Sequence, residues 1–174
     1  MSRKKIIYML GFMGSGKTTA GKKLAASLGW SFIDLDKLIE EHQGMKIAEI
    51  FSNLGEGHFR EIESQMLRTA SENEFTVIST GGGAPCFAGN MALMLETGLT
   101  VYLKLTPDQL VSRLIRSTAE RPLLKDLKGK ELLEYIENKL AERSVWYEKS
   151  EIITDGFSID IDKLTDEVRH HFSL

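Results

Sequence analysis

The sequence predicts one α/β domain built on a mostly parallel sheet. Short apolar runs alternate along the chain with segments of helical periodicity, which is typical of strands joined by crossover helices. A glycine-rich loop, Gly11–Thr19, connects the first apolar run to the first helical segment. The 174 residues have the length of a single domain, and no internal repeat or linker divides them.

Five strands are predicted, each a short run of apolar and β-branched residues bounded by turn-forming residues. The first run is apolar throughout, the second ends at an acidic pair, and the third is closed by Gly81–Gly83. The five runs cover residues 6–10, 31–33, 75–79, 99–103 and 151–154.

Helices are predicted where apolar residues recur every three or four positions. Thr106 and Pro107 have the residue types of an N-cap and a first helical residue. The polar, basic stretch 117–129 lacks such a period, and we interpret it as a mobile loop. The first predicted helical segment follows the glycine loop and extends through Leu28, and the second covers 37–73 with breaks near Gly44 and at Gly55–Gly57. A third starts at Pro107, and the last two cover 130–148 and 162–172.

Composition and charge exclude several classes of function. The net charge of −3 provides no basic field for a nucleic acid. Cys86 is the only cysteine, so no disulfide can form within the chain, which is typical of a reducing compartment. The apolar run after the basic N-terminus has five residues, too few for a signal-peptide core, and no segment approaches a membrane span. We therefore expect a cytoplasmic protein with no nucleic-acid or membrane partner.

The loop Gly11–Thr19 satisfies the phosphate-binding pattern G-x-x-x-x-G-K-[ST]. A strand before the loop and a helix after it would aim backbone N–H groups and the positive end of the helix at an anion. In this pattern Lys17 reaches the β- and γ-phosphates, and the Thr18 hydroxyl is a ligand of Mg²⁺. We predict nucleotide binding by Gly14, Ser15, Gly16, Lys17, Thr18 and Thr19.

The loop alone does not distinguish a switch, a motor and a kinase. GTPases need a guanine-reading Asn-Lys-x-Asp, but here Asn138-Lys139 is followed by leucine and alanine. Motors and AAA-type ATPases usually place a Mg²⁺-directing aspartate at the end of an apolar strand, whereas the third predicted strand leads into Ser79–Gly83. Other residues must therefore serve the metal and the acceptor.

Asp34 and Asp36 are the first candidates, because they follow the second predicted strand. Ligands of open α/β sheets bind at the carboxyl ends of the strands. Residues two apart on an extended segment face the same side, so one carboxylate could serve Mg²⁺ and the attacking hydroxyl while the other grips further hydroxyls. The alternative is a plain helix N-cap, where aspartate is also favoured.

Three arginines are the next candidates. Arg143 continues the apolar stripe of the helix predicted over 130–148, so it either needs a carboxylate partner or extends from the edge of the stripe into solvent. Arg60 has Glu63 three residues later, which on its own favours an ordinary exposed ion pair worth at most about 1 kcal/mol. Arg121 lies in the polar stretch, either as a cation that closes over a triphosphate or as a solvated side chain.

Taken together, these residues resemble the shikimate kinase family, in the nucleoside-monophosphate-kinase-like branch of phosphate-loop proteins. The resemblance depends on the order and spacing of several short matches that extend over nearly the whole chain. They are Gly11–Thr19, Asp34–Asp36, Phe59-Arg60 with Glu63, Gly81–Gly83, Arg121–Leu124, and Arg143 with Tyr147.

The resemblance implies a three-layer fold with a five-stranded parallel sheet in the order 2-3-1-4-5. It implies one domain over 1–174, with a substrate subdomain at about 34–73 and a lid at about 113–129. The implied activity is ATP- and Mg²⁺-dependent phosphorylation of the 3-hydroxyl of shikimate, a step of aromatic amino-acid biosynthesis, by a monomer. A gluconate-type kinase is the nearest alternative, because gluconate is also an acidic polyol, and a nucleotide-binding module without catalysis is the other.

The same resemblance implies a role for each site residue. Asp36 grips the hydroxyls of shikimate, Arg60 and Arg143 hold its carboxylate, and Gly81, Gly82 and Gly83 approach it through the backbone. Asp34 lies beside Mg²⁺ and the acceptor hydroxyl, while Lys17 and Arg121 neutralise charge on the phosphates of ATP. The adenine site is poorly marked, with Arg113 or Arg116 and the loop 154–158 as its candidates.

Overall fold

The computed structural model of the chain describes residues 3–117, 124 and 126–174. Its strands are β1 (Ile6–Leu10), β2 (Ser31–Asp34), β3 (Thr76–Ser79), β4 (Leu99–Lys104) and β5 (Ile152–Asp155). They form one parallel sheet in the order β2-β3-β1-β4-β5, which confirms the order that the resemblance implied.

Helices cover both faces of the sheet, as the prediction of three layers required. The described residues hold the helices α1 (Lys17–Leu28), α2 (Leu35–Gln43), α3 (Ile47–Ala70), α4 (Asn90–Thr97), α5 (Pro107–Arg116), α6 (Gly129–Tyr147) and α7 (Ile161–Phe172). Helix α4 and a 3₁₀ turn at Ala84–Cys86 are additions to the predicted elements.

The central strand β1 separates two apolar clusters by the alternation of its side chains. Ile6, Tyr8 and Leu10 pack with residues of α2, α3, α4 and α6 on one face of the sheet. Ile7 and Met9 pack with residues of α1 and α7 on the other face. All five residues of β1 are fully buried, which is typical of a parallel strand covered on both faces.

Glycines end or interrupt the helices where the sequence predicted breaks. Gly44 terminates α2 with a φ of 64°, and Gly55 breaks α3 with a φ of 82°. Both values lie in the left-handed region, which glycine adopts without a steric penalty. Within the predicted loop 117–129, residues 118–123 and 125 lie outside the described residues.

Strand register brings three chain segments to one edge of the sheet. Ser79 at the end of β3 is in register with Asp34 of β2 on one side and with Met9 of β1 on the other. Thr80 then anchors the exit of β3, because its backbone N–H and its hydroxyl both donate to the Met9 carbonyl, at 3.2 and 2.9 Å. The glycine loop, the Gly81–Gly83 segment and Asp34 therefore meet at the carboxyl edge of the sheet.

Candidate active site

The glycine loop forms a cradle at the start of α1. Gly14 and Gly16 have φ values of 79° and 93°, which only glycine adopts readily, and the Ser15 N–H closes the turn on the Phe12 carbonyl at 3.1 Å. Lys17 is 8% exposed, and its ammonium donates to the carbonyls of Gly11 and Phe12 at 2.8 and 2.9 Å. The ammonium group is thus held beside the cradle.

A cavity of about 510 Å³ opens over this cradle. Of the predicted nucleotide-binding residues, Gly14, Gly16, Lys17, Thr18 and Thr19 line it, while Ser15 is buried behind the loop. Both aspartates and the polar end of β3 line it as well, so the cavity is polar on the side that faces the sheet edge.

Asp34 caps a helix and also contacts the glycine loop. Its Oδ1 accepts from the Lys37 N–H at 3.3 Å and caps α2, while its Oδ2 accepts from the Thr18 hydroxyl at 2.9 Å. The Ser79 hydroxyl lies 3.3 Å from the Thr18 hydroxyl. Carboxylate and hydroxyl oxygens are ligands that suit Mg²⁺, which keeps several waters and binds few protein groups. The cluster therefore fits the predicted metal, and Ser79 adds a hydroxyl that the site residues predicted from the sequence did not include.

Asp36 lines the same cavity, but the reason given from the sequence was wrong. Helix α2 begins at Leu35, so Asp36 lies in a helical turn rather than two residues along an extended segment. The surrounding protein desolvates its carboxyl and raises its pKa, and the negative charge of Asp34 raises it further. Lys17 and Arg60 act in the opposite direction and stabilise the ionised form.

A second cavity, of about 610 Å³, adjoins the first. The two share Met13, Asp36, Gly81 and Gly82, so together they form one cleft with two compartments. The second compartment combines charged groups with an apolar wall. Its charged groups include Arg60, Glu63 and Arg143, and its wall includes Ile47, Phe51 and Phe59.

Arg60 and Glu63 form a buried ion pair rather than the exposed one that the local sequence favoured. The Arg60 guanidinium donates to Glu63 at 2.7 Å, and Glu63 is fully buried. Burial raises the pKa of Glu63, although Arg60 opposes the rise, and the pair with Glu63 raises the pKa of Arg60 against the effect of burial. The guanidinium is therefore held in one direction at the wall of the second compartment.

Arg143 lies at the same wall, on α6. Its guanidinium lies 5.3 Å from the centroid of the Phe12 ring in the glycine loop, at a cation–π distance. Its Nη1 atom is buried and has no hydrogen-bond partner among the described residues. Because buried guanidinium N–H groups are costly without an acceptor, this atom favours an anionic ligand in the adjoining compartment.

The three glycines after β3 each lie against a different charged residue. A methyl group on Gly81 would lie 2.5 Å from Glu63 Oε1, and one on Gly82 would lie 3.3 Å from Arg143 Nη1. A methyl group on Gly83 would overlap the guanidinium of Arg60. None of the three has a left-handed φ, so the need for glycine here is a need for space between the backbone and these side chains.

We expect Gly83→Ala to raise the KM for the acceptor substrate about tenfold while the fold survives, because the atoms displaced are the flexible end of Arg60. Steady-state kinetics with thermal unfolding measures both effects. Gly57→Ala is the matched control, since its methyl group would meet no atom within 4 Å and alanine favours the helix. An unchanged KM in Gly83→Ala would show that Arg60 does not hold the acceptor.

The sequence left open whether Arg113 or Arg116 belongs to the adenine site, and the structure shows the contacts of Arg113. Its guanidinium donates to the Ser15 carbonyl at 2.8 Å and to the Gly156 and Phe157 carbonyls at 2.7 and 3.1 Å. It thereby ties the glycine loop to the loop after β5, and the Phe157 ring lies 5.6 Å away at a cation–π distance. Arg116 lines the first cavity beside it.

Arg121, for which the sequence predicts a contact with ATP, lies outside the described residues. Over the parts of the chain that the structure does describe, no group of three or more His, Cys, Asp or Glu side chains is placed to hold a metal ion. In the same parts, no helix has the length and the apolar composition that crossing a bilayer requires.

Comparison with known proteins decides the family. A family model described as Shikimate kinase matches residues 13–171. The chain belongs to the shikimate kinase family. The shikimate kinase of Parabacteroides distasonis is 46% identical over 152 residues, which cover 87% of this chain and 88% of that relative.

Solved structures of shikimate kinases share the fold over nearly the whole chain. The enzyme from Bacteroides thetaiotaomicron has a TM-score of 0.90 at 39% identity, and covers 97% of this chain and 98% of its own. The shikimate kinase from Acinetobacter baumannii, solved in complex with shikimate, has a TM-score of 0.85 at 30% identity and covers 98% and 94%. The predicted family is confirmed, and with it ATP as the co-substrate.

The alternative of a gluconate-type kinase receives support at the level of the fold alone. A gluconokinase from Sinorhizobium meliloti covers 99% of this chain with a TM-score of 0.56 but is 16% identical. The gluconokinase therefore shares the fold only, whereas the shikimate kinases match this chain in both sequence and structure.

Proposed function

We propose that this shikimate kinase family member transfers the γ-phosphoryl group of ATP to the 3-hydroxyl of shikimate. The observation that carries the proposal is the two-compartment cleft, in which a phosphate cradle adjoins a pocket with two guanidinium groups. Shikimate is a small cyclic acid with several hydroxyls, so it matches a pocket that offers cations, a carboxylate and an apolar wall. The products are shikimate 3-phosphate and ADP.

Three residues of the second compartment bind shikimate in this proposal. Arg143 donates to the carboxylate, which gives its buried Nη1 atom the hydrogen-bond acceptor that it lacks within the described part of the chain. Arg60 donates to the same carboxylate, with its guanidinium oriented by the ion pair with Glu63. Asp36, at the junction of the two compartments, accepts hydrogen bonds from the hydroxyls in its ionised form. The Gly81–Gly83 backbone forms the floor and lets the substrate approach the phosphate cradle.

The phosphates of ATP bind along the glycine loop. Backbone N–H groups of the loop donate to phosphate oxygens, and Lys17 carries positive charge to the end of the chain of phosphates. Thr18 and Asp34 are the residues that would hold Mg²⁺, directly or through water, and the ion would neutralise developing charge on the phosphates. Arg121 remains the predicted cation of the lid.

The reaction is an in-line displacement, which depends on placement and charge. The 3-hydroxyl oxygen forms a bond to the γ-phosphorus while the bond from that phosphorus to the bridging oxygen of ADP breaks. The hydroxyl proton passes to Asp34 or to water as the new bond forms. Asp34 lines the phosphate compartment, and in this proposal it either orients this hydroxyl or accepts its proton.

We expect Asp34→Asn to lower the turnover number about 10²-fold and to raise the Mg²⁺ concentration needed for half-maximal activity, because it removes the negative charge. Asparagine caps helices as well as aspartate does, so α2 should stay intact. Mg²⁺ titrations at fixed ATP and shikimate measure the effect.

The matched control is Asp160→Asn, which changes the aspartate that caps α7 through the Lys163 N–H at 2.9 Å. This variant should keep both the turnover number and the Mg²⁺ requirement. If Asp34→Asn behaved like Asp160→Asn, the role of Asp34 would be reduced to helix capping.

The proposed function is tested by ADP release with a panel of acceptors. Shikimate should support turnover in the presence of ATP and Mg²⁺, whereas gluconate and nucleoside monophosphates should not. Turnover of gluconate without turnover of shikimate would favour the gluconate-type alternative. ATP binding by calorimetry without phosphoryl transfer to any acceptor would favour a regulatory module.

We also propose that the chain acts as a monomer in the cytoplasm. Its one domain, 1–174, would comprise a substrate subdomain at about 34–73 and a lid at about 113–129. Apolar residues of α3 wall the acceptor compartment, which supports this position of the subdomain. Sedimentation velocity at assay concentrations tests the monomer.

A further inference from the structure

Tyr147 is the last residue of α6, one helical turn after Arg143. Its side chain is fully buried, with its ring 5.0 Å from the ring of Tyr102 on β4. Its hydroxyl donates a hydrogen bond of 2.5 Å to the Gly82 carbonyl. Burial raises the pKa of Tyr147 far above its usual range, although the charge of Arg143 opposes the rise, so the hydroxyl keeps the proton that it donates.

Packing alone does not explain a tyrosine here. A phenylalanine would fill the same space against Tyr102, and burying a hydroxyl is unfavourable unless it forms a hydrogen bond. The hydrogen bond that compensates for this burial goes to the glycine segment at the floor of the cleft. This hydrogen bond therefore connects the Tyr147 hydroxyl to the candidate active site through Gly82.

Gly82 lies between the glycine loop and Arg143. A methyl group built on it would lie 3.3 Å from the backbone nitrogen of Met13 in the glycine loop and 3.3 Å from Arg143 Nη1. Gly82 also lines both compartments of the cleft. A rotation of its peptide would therefore move the backbone that lies between the phosphate cradle and the Arg143 guanidinium.

Helix α6 thus holds the centre of the cleft at two points one turn apart. At the first point, the Arg143 guanidinium stacks on Phe12 of the glycine loop. At the second, the Tyr147 hydroxyl fixes the Gly82 carbonyl. Because both contacts come from one rigid helix, the position of the carboxylate-binding guanidinium is tied to the position of the glycine floor.

We propose that Tyr147 is a positioning residue of the phosphoryl transfer. Its hydroxyl sets the orientation of the Gly82 peptide and so aligns the acceptor with the phosphate cradle, without touching the substrate itself. The inference rests on the proposed function, since the acceptor that it aligns is the one proposed to bind beside Arg60 and Arg143.

The test is Tyr147→Phe, which removes the hydroxyl and keeps the ring. A small displacement of reacting groups is costly in an in-line transfer, so kcat/KM for shikimate should fall about tenfold. The KM for ATP should change less than about twofold, because the glycine loop and Lys17 stay in place. Thermal unfolding on the same preparation shows whether the fold is retained.

Tyr102→Phe is the matched control. It removes a hydroxyl from the other ring of the same buried pair, on a strand rather than at the cleft floor. It should leave kcat/KM for shikimate unchanged even if it lowers the unfolding temperature as much as Tyr147→Phe does. Equal kinetic losses in the two variants would assign the effect to general packing and overturn the proposal.

A fluorinated tyrosine at position 147 tests the same point without removing any group. Fluorine lowers the pKa of the phenol, and the ionised form has no proton to donate to Gly82. As the pH rises through that lowered pKa, kcat/KM for shikimate should fall, whereas the unmodified protein keeps its activity over the same range. Matching pH profiles over a range in which absorbance shows the fluorinated phenol to ionise would contradict the proposal.

The two hypotheses fail in different ways. If the unmodified protein does not phosphorylate shikimate, the proposed function is wrong and the role of Tyr147 falls with it. If the unmodified protein does phosphorylate shikimate and Tyr147→Phe has the same kinetic constants, the positioning role alone is wrong.

Discussion

We expect Lys17→Met to lower the turnover number about 10³-fold, because it removes the cation of the glycine loop that is proposed to lie beside the transferred group. The charge on the phosphoryl oxygens is redistributed as the bond to the leaving group breaks. A fixed cation therefore stabilises this transition state more than it stabilises the bound substrate. The loss should therefore appear in kcat and in kcat/KM together. Steady-state ADP release with both substrates varied measures it.

The stability of Lys17→Met should change far less than its activity. Methionine keeps the apolar stem, and the two carbonyls that lose their donor cost at most about 1–3 kcal/mol if water does not replace it. Lys23→Met, an exposed lysine of the same helix, is the matched control and should keep full turnover. Turnover in Lys17→Met within about tenfold of the unmodified protein would remove Lys17 from the catalytic residues.

Most of the fold was predictable because its strongest signals are local. The central strand is apolar at every position, and the glycine loop that follows it fixes where the first helix begins. The N-cap at Thr106 was predictable for the same reason, since its hydroxyl accepts from the Gln109 N–H only three residues later. Such features depend on neighbours in the chain and need no knowledge of the folded structure.

The segment after the glycine triplet was missed because its structure depends on tertiary contacts. Helix α4 has eight residues, too few to show a clear apolar period. It is held by Asn90, whose buried side chain donates to the Ala84 carbonyl at 2.9 Å, and by Met91 and Met94, which enter the core. A proline and several small residues in the preceding turn gave no helical signal.

Within the site, the sequence was a good guide to which residues line the cleft and a poorer guide to their burial and local backbone structure. Glu63 was interpreted as exposed, yet it lies four residues after Phe59 and three before Met66, on the packing face of α3. That spacing was the signal that it is buried. Asp36 reached the predicted cavity from a helical turn, because α2 starts one residue earlier than the extended segment was expected to end.

The second large effect concerns Arg143. We expect Arg143→Ala to raise the KM for shikimate about 10²-fold, which corresponds to about 2.7 kcal/mol, because it removes the guanidinium that is proposed to bind the carboxylate and whose Nη1 atom is buried. The KM for ATP should change less than about twofold, since the residues of the phosphate cradle are untouched. Lys139→Ala, which removes one exposed positive charge from the same helix, should leave both constants unchanged.

A change in the substrate shows whether the carboxylate is what Arg143 recognises. The uncharged carboxamide analogue of shikimate should be a poor substrate for the unmodified protein, because it offers the guanidinium no anion. The same analogue and shikimate should differ far less in Arg143→Ala, since the group that distinguished them is gone. If the variant discriminates between the two as strongly as the unmodified protein does, the carboxylate binds elsewhere, and Arg60, held by Glu63, becomes the group that selects an acidic acceptor.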